Sequence, residues 1–223
     1  MKYKAVVFDL DGTLLDTLED LMDAVNDALR KYGYPVRTLD EIRNFVGNGV
    51  RRLMERALPD GAQPPQFEQI LAAFRAYYTV HCEDKTHAYD GVPELMQQLK
   101  DAGCRMAIVS NKLDSVVKEL NQSYFSSYVR AAIGEKEGVR RKPAPDMVEQ
   151  ALAELQCKKE EAVYVGDSEV DIQTASNAGL ACISVSWGFR DKDFLLKNGA
   201  AVIADTPREV WDLVSTHARP ESP

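Results

Sequence analysis

Pairs of aspartates follow two of the short apolar runs in this chain. Asp9 and Asp11 follow the run Tyr3–Phe8, and Asp167 and Asp171 follow a later run. Alternate residues of an extended segment point to the same side, so Asp9 and Asp11 face one space. Crowded carboxylates repel one another unless a cation joins them, and oxygen ligands favour magnesium or calcium over zinc. A carboxylate can also attack phosphorus, so these pairs favour metal-assisted phosphoryl transfer through an aspartyl phosphate.

Other polar residues that suit this chemistry lie between the two aspartate pairs. Ser110, Asn111 and Lys112 follow a short apolar run, and Lys142 precedes Pro143 in a loop. A hydroxyl, a lysine and a metal ion can offset the charge of a phosphoryl group during its transfer. Each motif by itself is also typical of a turn, a helix cap or an exposed loop. Their joint occurrence, each beyond a predicted strand or before a predicted helix, favours one shared site.

The pattern of apolar residues predicts two kinds of structure along the chain. Helical periodicity fills the segment 17–82, whereas strands and helices alternate after Gly91. Such alternation predicts an α/β fold with a doubly wound parallel sheet and helices on both faces. Predicted strands lie at 3–8, 105–109, 128–133, 162–165, 180–185 and 201–203, and predicted helices lie at 18–32, 40–46, 50–58, 65–82, 93–102, 113–122, 146–155, 171–178 and 207–216.

The helical segment is interpreted as an insert, because the first predicted strand has no partner strand before residue 90. We therefore expect an α/β core domain, residues 1–16 and 87–223, and a helical cap domain, residues 17–86. The segments 14–17 and 83–91 are expected to act as hinges that close the cap over the site. Ligands of such sheets bind beyond the carboxyl ends of the strands, where the polar residues occur. The tail from residue 217 onward is expected to fray.

The composition indicates a folded, acidic protein. Hydrophobic residues make up 45% of the 223 residues, which is enough for a sizeable core. The formal net charge of −8 argues against a nucleic-acid partner, because nucleic-acid footprints are basic. No run approaches the ~18 apolar residues of a membrane helix, and the N-terminus does not resemble a signal peptide. The four cysteines have neither C-x-x-C nor zinc spacing, which favours reduced thiols and a cytoplasmic location.

Four motifs together resemble those of the haloacid dehalogenase-like hydrolase superfamily. They are FDLDGTLLDT at 8–17, Ser110-Asn111, Lys142-Pro143 and GDSEVD at 166–171. The resemblance spans nearly the whole chain, and the helical insert resembles the small cap of that superfamily's first subclass. Within this insert, the segment 47–58 looks like the phosphoglycolate phosphatase group. The resemblance implies a magnesium-dependent phosphatase that acts on a small phosphorylated metabolite through an aspartyl phosphate.

The superfamily pattern implies a role for each matching acidic residue. Asp9 is the expected nucleophile. Asp11 is expected to protonate the leaving oxygen and then to act as the base for water. The expected Mg²⁺ ligands are the carboxylates of Asp9 and Asp167 and the backbone carbonyl of Asp11. Asp171 is expected to support Lys142 or to take part in the metal shell.

The remaining implied roles concern the phosphoryl group and the substrate. Ser110 is expected to hydrogen-bond the phosphoryl oxygens, and Lys142 is expected to neutralise their charge. Gly12 permits a tight turn that brings backbone N–H groups to phosphate. Apart from the resemblance, Arg51 or Arg52 at the start of a predicted cap helix could clamp a substrate carboxylate in bidentate fashion, and the alternative is a solvated helix face. The predicted substrate-binding residues are Gly12, Thr13, Asn111, Gly47, Asn48, Gly49 and Arg51.

Several polar and aromatic residues are not expected to take part in the chemistry. Lys112 is interpreted as an exposed lysine. The three histidines, His81, His87 and His217, are interpreted as solvated or packing residues, because they have no neighbours with triad or zinc spacing. Trp187 and Phe189 follow a predicted strand end and suit either a wall of the site or plain packing.

Other activities on the same scaffold remain open. A pyrophosphatase or a broad-specificity sugar phosphatase would use the same residues. Phosphomutases of the β-phosphoglucomutase type carry a histidine early in the first cap helix, and residues 18–21 contain none. Haloacid dehalogenases lack the aspartate that stands here as Asp11, and phosphonatases use a cap lysine, for which Lys31 is poorly placed. The complete set of motifs argues against a binding protein without activity.

Overall fold

A parallel sheet forms the centre of the protein in a computed structural model that describes residues 1–59 and 65–216. The strands are β1 Ala5–Phe8, β2 Leu15–Asp16, β3 His87–Ala88, β4 Arg105–Leu113, β5 Val129–Glu135, β6 Ala162–Gly166, β7 Ala181–Val185 and β8 Ile203–Ala204. Six of them form the main sheet in the order β5-β4-β1-β6-β7-β8, and β2 pairs with β3 separately. Every pairing in the main sheet is parallel, which confirms the predicted α/β class.

Helices occupy most of the predicted positions. They are α1 Leu18–Lys31, α2 Leu39–Phe45, α3 Gly49–Ala57, α4 Phe67–His81, α5 Val92–Asp101, α6 Asp114–Leu120, α7 Asp146–Leu155, α8 Glu169–Ala178, α9 Lys192–Lys197 and α10 Pro207–Ser215. The sequence analysis missed α9, because a helix of six residues is too short to show a periodic apolar face. None of the helices in the described ranges is long and apolar enough to cross a membrane.

The burial of β1 on both faces explains its unbroken apolar sequence. Ala5 and Val7 belong to one buried cluster, which they share with residues of α7 and α8. Val6 and Phe8 point the other way and belong to a larger cluster, because side chains alternate along a strand. This larger cluster continues from the sheet into α1 to α4, so one apolar core joins the sheet to these helices.

The helices α1 to α4, here called the helical block, follow one another between β2 and β3 and pack together. Buried stripes run along α1, α3 and α4, as in α1, where Leu21, Val25 and Ala28 are buried at helical spacing, whereas α2 buries only Ile42. Thr38 and Glu41 form a reciprocal capping box that starts α2. The division of the chain into core and cap domains at residues 16/17 and 86/87 stays a prediction.

The two segments predicted as hinges are joined to each other. β2 lies in the first and β3 in the second, and they pair in antiparallel fashion. Asp20 of α1 strengthens the junction, because its carboxylate accepts the backbone N–H groups of Lys85 at 3.0 Å and Thr86 at 2.8 Å. The chain therefore enters and leaves the helical block through one short ribbon. The tail that was expected to fray lies outside the described residues.

Candidate active site

The carboxyl end of β1 lies at the point where the order of strands in the sheet reverses. β4 and β5 lie on one side of β1, and β6 to β8 lie on the other. Asp9 directly follows β1, and its backbone N–H donates to Val165 O of β6 at 2.9 Å. Ser110 lies in the last part of β4, and Asp167 directly follows β6. Parallel sheets bind ligands in the crevice formed by such a reversal, as the sequence analysis predicted.

Asp9 forms a buried ion pair with Lys142. The Lys142 Nζ lies 2.7 Å from Asp9 Oδ1, and the backbone N–H of Leu10 donates to the same oxygen at 2.7 Å. The Lys142 Nζ also lies 2.8 Å from Asp171 Oδ1 and 3.1 Å from the Tyr164 hydroxyl. Burial works to lower the pKa of Lys142, but Asp171 and Asp9 outweigh it and keep that pKa above its ordinary value. The lysine is therefore a fixed positive charge beside Asp9.

Asp171 supports Lys142 from the first turn of α8. Its Oδ1 contacts Lys142 and accepts the Tyr164 hydroxyl at 3.0 Å. Its Oδ2 accepts the backbone N–H of Ser168 at 3.1 Å and the Ser168 hydroxyl at 2.6 Å. A Cβ at Gly166 would lie 2.4 Å from the Asp171 Cβ, so only glycine permits this close approach. Protein groups engage both carboxylate oxygens, so direct metal contact would require one of these bonds to open, and the choice between the two roles stays a prediction.

Asp167 lies between two glycines. A Cβ at Gly12 would lie 2.4 Å from Asp167 Oδ2, and a Cβ at Gly188 would lie 2.4 Å from the Asp167 Cβ. The Asp167 carboxylate accepts the Thr13 hydroxyl at 3.1 Å and the Phe189 N–H at 2.8 Å. Gly12 also has a φ of +82°, the left-handed region that favours glycine. Gly12 and Thr13 therefore contact Asp167. Neither residue lines the pocket that the helical block covers beside Asp9.

Three carboxylates form a buried cluster that could hold a metal ion. Oxygen atoms of Asp9, Asp167 and Asp171 lie within 4.8 Å of one another. Burial and the Asp171 charge raise the pKa of Asp167 to about 7. Burial, followed by the Asp171 charge, raises the pKa of Asp9 well above its ordinary value, although Lys142 opposes the shift. Three carboxylates beside one ammonium leave an excess of negative charge, and a cluster of oxygen ligands with that charge fits a hard divalent cation.

The carboxylate of Asp11 lies outside this cluster and has different partners. The Thr17 hydroxyl donates to Asp11 Oδ1 at 2.6 Å, and the Lys112 Nζ lies 2.9 Å from the same oxygen. The Ser110 hydroxyl lies 3.4 Å from Asp11 Oδ2 and accepts the backbone N–H of Lys112 at 3.2 Å. The two aspartates of the first motif thus take part in separate networks. Metal contact through the Asp11 carbonyl stays a prediction.

The expectation that Lys112 is exposed was wrong. Only 4% of Lys112 is exposed, and its Nζ contacts both Asp11 and the hydroxyl of Tyr78 in α4. Burial works to lower the pKa of Lys112, but Asp11 and Tyr78 outweigh it and keep that pKa above its ordinary value. The polar sequence that follows Val109 resembles a loop, whereas β4 continues to Leu113 and Lys112 is buried within it.

The helical block covers a pocket above these polar groups. The polar side of the pocket is formed by Asp9, Asp11, Ser110, Asn111, Lys112, Lys142 and Asp167. The block contributes an apolar wall that consists of Leu21, Val46, Val50 and Leu53, and Phe189 of the α/β part also lines the pocket. The predicted residues Gly47 and Gly49 line the pocket as well. The pocket therefore has a charged side, here called the floor, and the apolar wall from the helical block, here called the roof.

Two residues of the α/β part fasten the loop between α2 and α3. Arg190 donates to the backbone carbonyls of Arg43 at 2.7 Å and Val46 at 3.0 Å. The side-chain amide of Asn111 donates to Gly47 O at 3.2 Å, and its oxygen accepts the N–H of Lys142 at 2.8 Å. Asn111 was predicted to contact substrate, and here it also joins the loop to the backbone of Lys142. These contacts hold the roof against the floor.

Asn48 and Arg51 do not line the pocket. The Arg51 guanidinium pairs with the carboxylate of Glu68 at 2.8 and 2.9 Å. The Asn48 side-chain oxygen accepts from Arg56 at 2.8 Å. A contact of either residue with substrate would require these pairs to open. The arginine that does line the pocket is Arg190, which the sequence analysis did not single out.

Thr17, Tyr78 and Tyr164 also contribute to the site, although the sequence analysis gave them no role in it. The two tyrosines occupy apolar positions in a helix and a strand, where the pattern reveals rings but not hydroxyl partners. Thr17 lies within the first motif, and its hydroxyl donates to Asp11. Membership of that motif was the one signal that could have identified Thr17.

The fold and this arrangement of aspartates define a class of hydrolase. The family model described as haloacid dehalogenase-like hydrolase matches residues 6–185, and the chain belongs to this family. The phosphoglycolate phosphatase of Rhodobacter capsulatus is 37% identical over 190 residues, which cover 83% of this chain and 85% of that protein. The N-acetylmuramic acid 6-phosphate phosphatase of Pseudomonas aeruginosa is 31% identical and covers 96% of each chain.

A solved structure agrees with these relatives. The crystal structure of a candidate phosphoglycolate phosphatase from Lactobacillus delbrueckii subsp. bulgaricus has a TM-score of 0.91 and 38% identity to this chain. The match covers 96% of this chain and 99% of that chain. These similarities confirm the predicted enzyme class, a phosphatase that hydrolyses phosphoric monoesters.

Proposed function

We propose that the protein is a magnesium-dependent phosphatase that hydrolyses a small phosphorylated metabolite through an aspartyl phosphate on Asp9. The first candidate substrate is 2-phosphoglycolate. The observation that carries the proposal is the buried contact of Asp9 with Lys142, beside the separately held Asp11. Relatives that are phosphoglycolate phosphatases, at 37% and 32% identity, support the choice of substrate.

Asp9 is suited to attack phosphorus. Lys142 and the Leu10 N–H both contact Oδ1, so we assign the attack to an electron pair of Oδ2. The new bond joins Asp9 Oδ2 to phosphorus, and the bond between phosphorus and the ester oxygen breaks. The ammonium of Lys142 offsets negative charge on the phosphoryl group as this exchange proceeds. Ser110 lines the same pocket and can donate its hydroxyl to a phosphoryl oxygen.

Asp11 is suited to move the proton. The leaving oxygen gains a proton from the Asp11 carboxyl, and the resulting carboxylate later takes a proton from the water that attacks the aspartyl phosphate. Thr17 and Lys112 both hold Asp11 Oδ1, so we assign the proton transfers to Oδ2.

The carboxylates of Asp9 and Asp167 would hold Mg²⁺, together with the backbone carbonyl of Asp11. When bound, Mg²⁺ would offset the charge of the carboxylates and of the phosphoryl oxygens. Thr13 and the Phe189 N–H fix the orientation of the Asp167 carboxylate, and Asp171 fixes Lys142. These contacts reduce the rearrangement that metal binding requires.

A second candidate substrate is a sugar phosphate. It is favoured by the N-acetylmuramic acid 6-phosphate phosphatase relative, which covers nearly the whole chain at 31% identity. The apolar wall formed by Leu21, Val50 and Leu53 suits a small leaving group better than a large polar sugar. We therefore place 2-phosphoglycolate first.

Phosphate release from a panel of phosphorylated metabolites tests the proposal. The panel contains 2-phosphoglycolate, N-acetylmuramic acid 6-phosphate, other sugar phosphates and pyrophosphate, each measured with and without Mg²⁺. We expect the highest kcat/KM for 2-phosphoglycolate and dependence on Mg²⁺ for every substrate. A higher kcat/KM for a sugar phosphate would make that compound the proposed substrate and would leave the proposed mechanism unchanged. Metal-independent turnover would overturn the mechanism itself.

A further inference from the structure

A contact between Lys112 and Tyr78 joins the helical block to the sheet at the edge of the active site. Lys112 lies near the end of β4, and Tyr78 lies in α4. Tyr78 is fully buried, and its ring lies 4.4 Å from the Lys112 Nζ and stacks on Phe74 at 5.5 Å between ring centroids. The Tyr78 hydroxyl meets the Lys112 ammonium, which also lies 2.9 Å from Asp11 Oδ1. A continuous chain of contacts thus leads from α4 to Asp11.

The chemistry of these groups makes each contact depend on the other. An ammonium group has three donors, and a buried charge without partners is strongly unfavourable. Here Tyr78 and Asp11 both accept from Lys112. If α4 moved away from the sheet, the Lys112 ammonium would lose the tyrosine oxygen and the ring that fix its position. The Asp11 oxygen that it holds would then lose a defined partner as well.

We propose that Lys112 and Tyr78 are positioning residues for Asp11, and that they make its orientation depend on the seating of α4 against the sheet. This proposal rests on the proposed role of Asp11 as acid and base. Lys112 and Thr17 hold Oδ1 of the carboxylate, and Oδ2, which has the Ser110 hydroxyl 3.4 Å away, is the oxygen assigned to proton transfer. The helical block thereby does more than cover the pocket, because it completes the alignment of the acid.

Lys142 differs from Lys112, because none of its partners described here belongs to the helical block. It also contacts an aspartate and a tyrosine hydroxyl, but Asp9, Asp171 and Tyr164 all belong to the α/β part. Movement of α4 would leave those partners in place. The ammonium beside Asp9 therefore keeps all these partners whether or not the helical block is seated, whereas the ammonium beside Asp11 loses the tyrosine that fixes its position.

The test removes the Tyr78 hydroxyl and keeps its ring. Tyr78→Phe is compared with the wild type and with Tyr77→Phe, a substitution on the same helix outside the chain of contacts. Phenyl phosphate and p-nitrophenyl phosphate serve as probes, because they are similar in size but only phenolate needs strong assistance from an acid. Rapid mixing measures the burst of phenol or nitrophenol, which reports formation of the aspartyl phosphate.

Tyr78→Phe is expected to slow the burst with phenyl phosphate by about tenfold, the scale of one hydrogen bond to a charged group. The p-nitrophenyl phosphate burst should slow by less than about threefold, because its leaving group needs little protonation. KM for both probes should change by less than about threefold in Tyr78→Phe, and Tyr77→Phe should match the wild type. Equal slowing with the two probes, or no slowing, would overturn the proposal, since a purely structural role cannot depend on the leaving group.

Lys112→Met extends the test to the other residue of the chain of contacts. It should show the same dependence on the leaving group with a larger effect, and the double variant with Tyr78→Phe should be no slower than Lys112→Met alone. Additive effects would show that the two residues act separately and would contradict the proposal. If Lys112→Met does not fold, as judged by its thermal unfolding, Tyr78→Phe decides the matter by itself.

Failure of the proposed function would look different. Asp9→Asn, run beside these variants, would then keep its burst with both probes. Asp9→Asn could instead lose both bursts while Tyr78→Phe slows the two probes equally. That result would support the proposed function and reject the proposed role of Lys112 and Tyr78.

Discussion

The two aspartates of the first motif are two residues apart, yet different parts of the molecule hold them. The contacts of Asp9 come from Leu10 and Lys142, which belong to the α/β part. Asp11 is held by Thr17, at the entry to the helical block, and by Lys112, which contacts α4. The α/β part alone therefore holds Asp9, the proposed nucleophile, whereas Asp11, the proposed acid and base, is held where the sheet meets the helices.

This difference separates two tasks that one site must perform. Charge at the nucleophile has to be balanced at all times, because three buried carboxylates repel one another. Alignment of the acid matters only when a substrate is enclosed and water is excluded. Because Asp11 lies where the helical block meets the sheet, its alignment depends on closure of the block over the substrate. Asp9 lies at the end of β1 with partners from the α/β part, so its charge balance does not depend on that closure.

Removal of the nucleophile should have the largest effect. Asp9→Asn is expected to lower kcat by roughly 10³-fold or more, because an amide is a poor nucleophile and a poor metal ligand. Asp101→Asn, at an exposed position of α5, is the matched control and should keep full activity. Steady-state phosphate release checks both variants. If Asp9→Asn kept about a tenth of wild-type kcat, Asp9 would not be the nucleophile, and the contrast between Asp9 and Asp11 would fail.

Removal of the metal should abolish activity in a reversible way. EDTA is expected to stop turnover and Mg²⁺ to restore it, whereas Ca²⁺, with its larger and looser ligand shell, should restore little. Calorimetric titration should show Mg²⁺ binding that is about tenfold weaker at pH 6 than at pH 8, because the pKa of Asp167 is about 7 and a protonated carboxyl ligates poorly. Undiminished activity in EDTA would rule out a metal bound by these carboxylates.

Removal of the acid should have an effect that depends on the leaving group. Asp11→Asn keeps the backbone carbonyl and most of the side-chain shape, so Mg²⁺ affinity should change little. The phosphorylation step should slow by roughly 10²–10⁴-fold for an alkyl phosphate and much less for p-nitrophenyl phosphate. A nitrophenolate burst followed by slow turnover is expected in rapid mixing, because hydrolysis of the aspartyl phosphate still needs the base. Equal slowing of both substrates would leave Asp11 as a structural residue.

Weakening the contact between the roof and the floor should have the smallest effect. Arg190→Met removes the donors to the Arg43 and Val46 carbonyls. We expect KM for 2-phosphoglycolate to rise by about 3- to 10-fold with little change in kcat, on the scale of one net hydrogen bond. Arg208→Gln, which alters an exposed arginine of α10, is the control. A fall in kcat with unchanged KM would show that this loop aligns reacting groups.

Much of this site could be predicted from the sequence, because its residues follow apolar strands in a fixed order. Asp9, Ser110 and Asp167 lie at strand ends that the sheet brings together. The alternation of strands and helices therefore predicted the fold class, and the motifs predicted a candidate site at the carboxyl ends of the strands. The substrate-facing residues were harder, because the cap segment 47–58 shows a charged helix face whose partners depend on packing.

The errors have a common physical cause. Lys112 was assigned to solvent because polarity was taken as a measure of exposure, yet an aspartate and a tyrosine keep its charge buried. The hydroxyl contacts of Tyr78 and Tyr164 could not be predicted, since a periodic pattern does not reveal what a hydroxyl group contacts. The contact of Arg51 with substrate stays a prediction, and its pairing with Glu68 of the neighbouring helix could not be read from the sequence. None of these partners is visible in the local pattern of the sequence.

The central position of β1 sets the order in which the protein can be completed during synthesis. β1 ends at Phe8, and its first neighbour in the sheet, β4, begins at Arg105. At a ribosomal rate of about 5–20 residues per second, β1 waits roughly 5–20 s for a strand with which to pair. The helical block is made during this interval, and its helices can pack on one another before β4, which the block also contacts, has emerged. Asp9 is thus among the first residues made, but it meets Asp167 only after most of the chain has emerged.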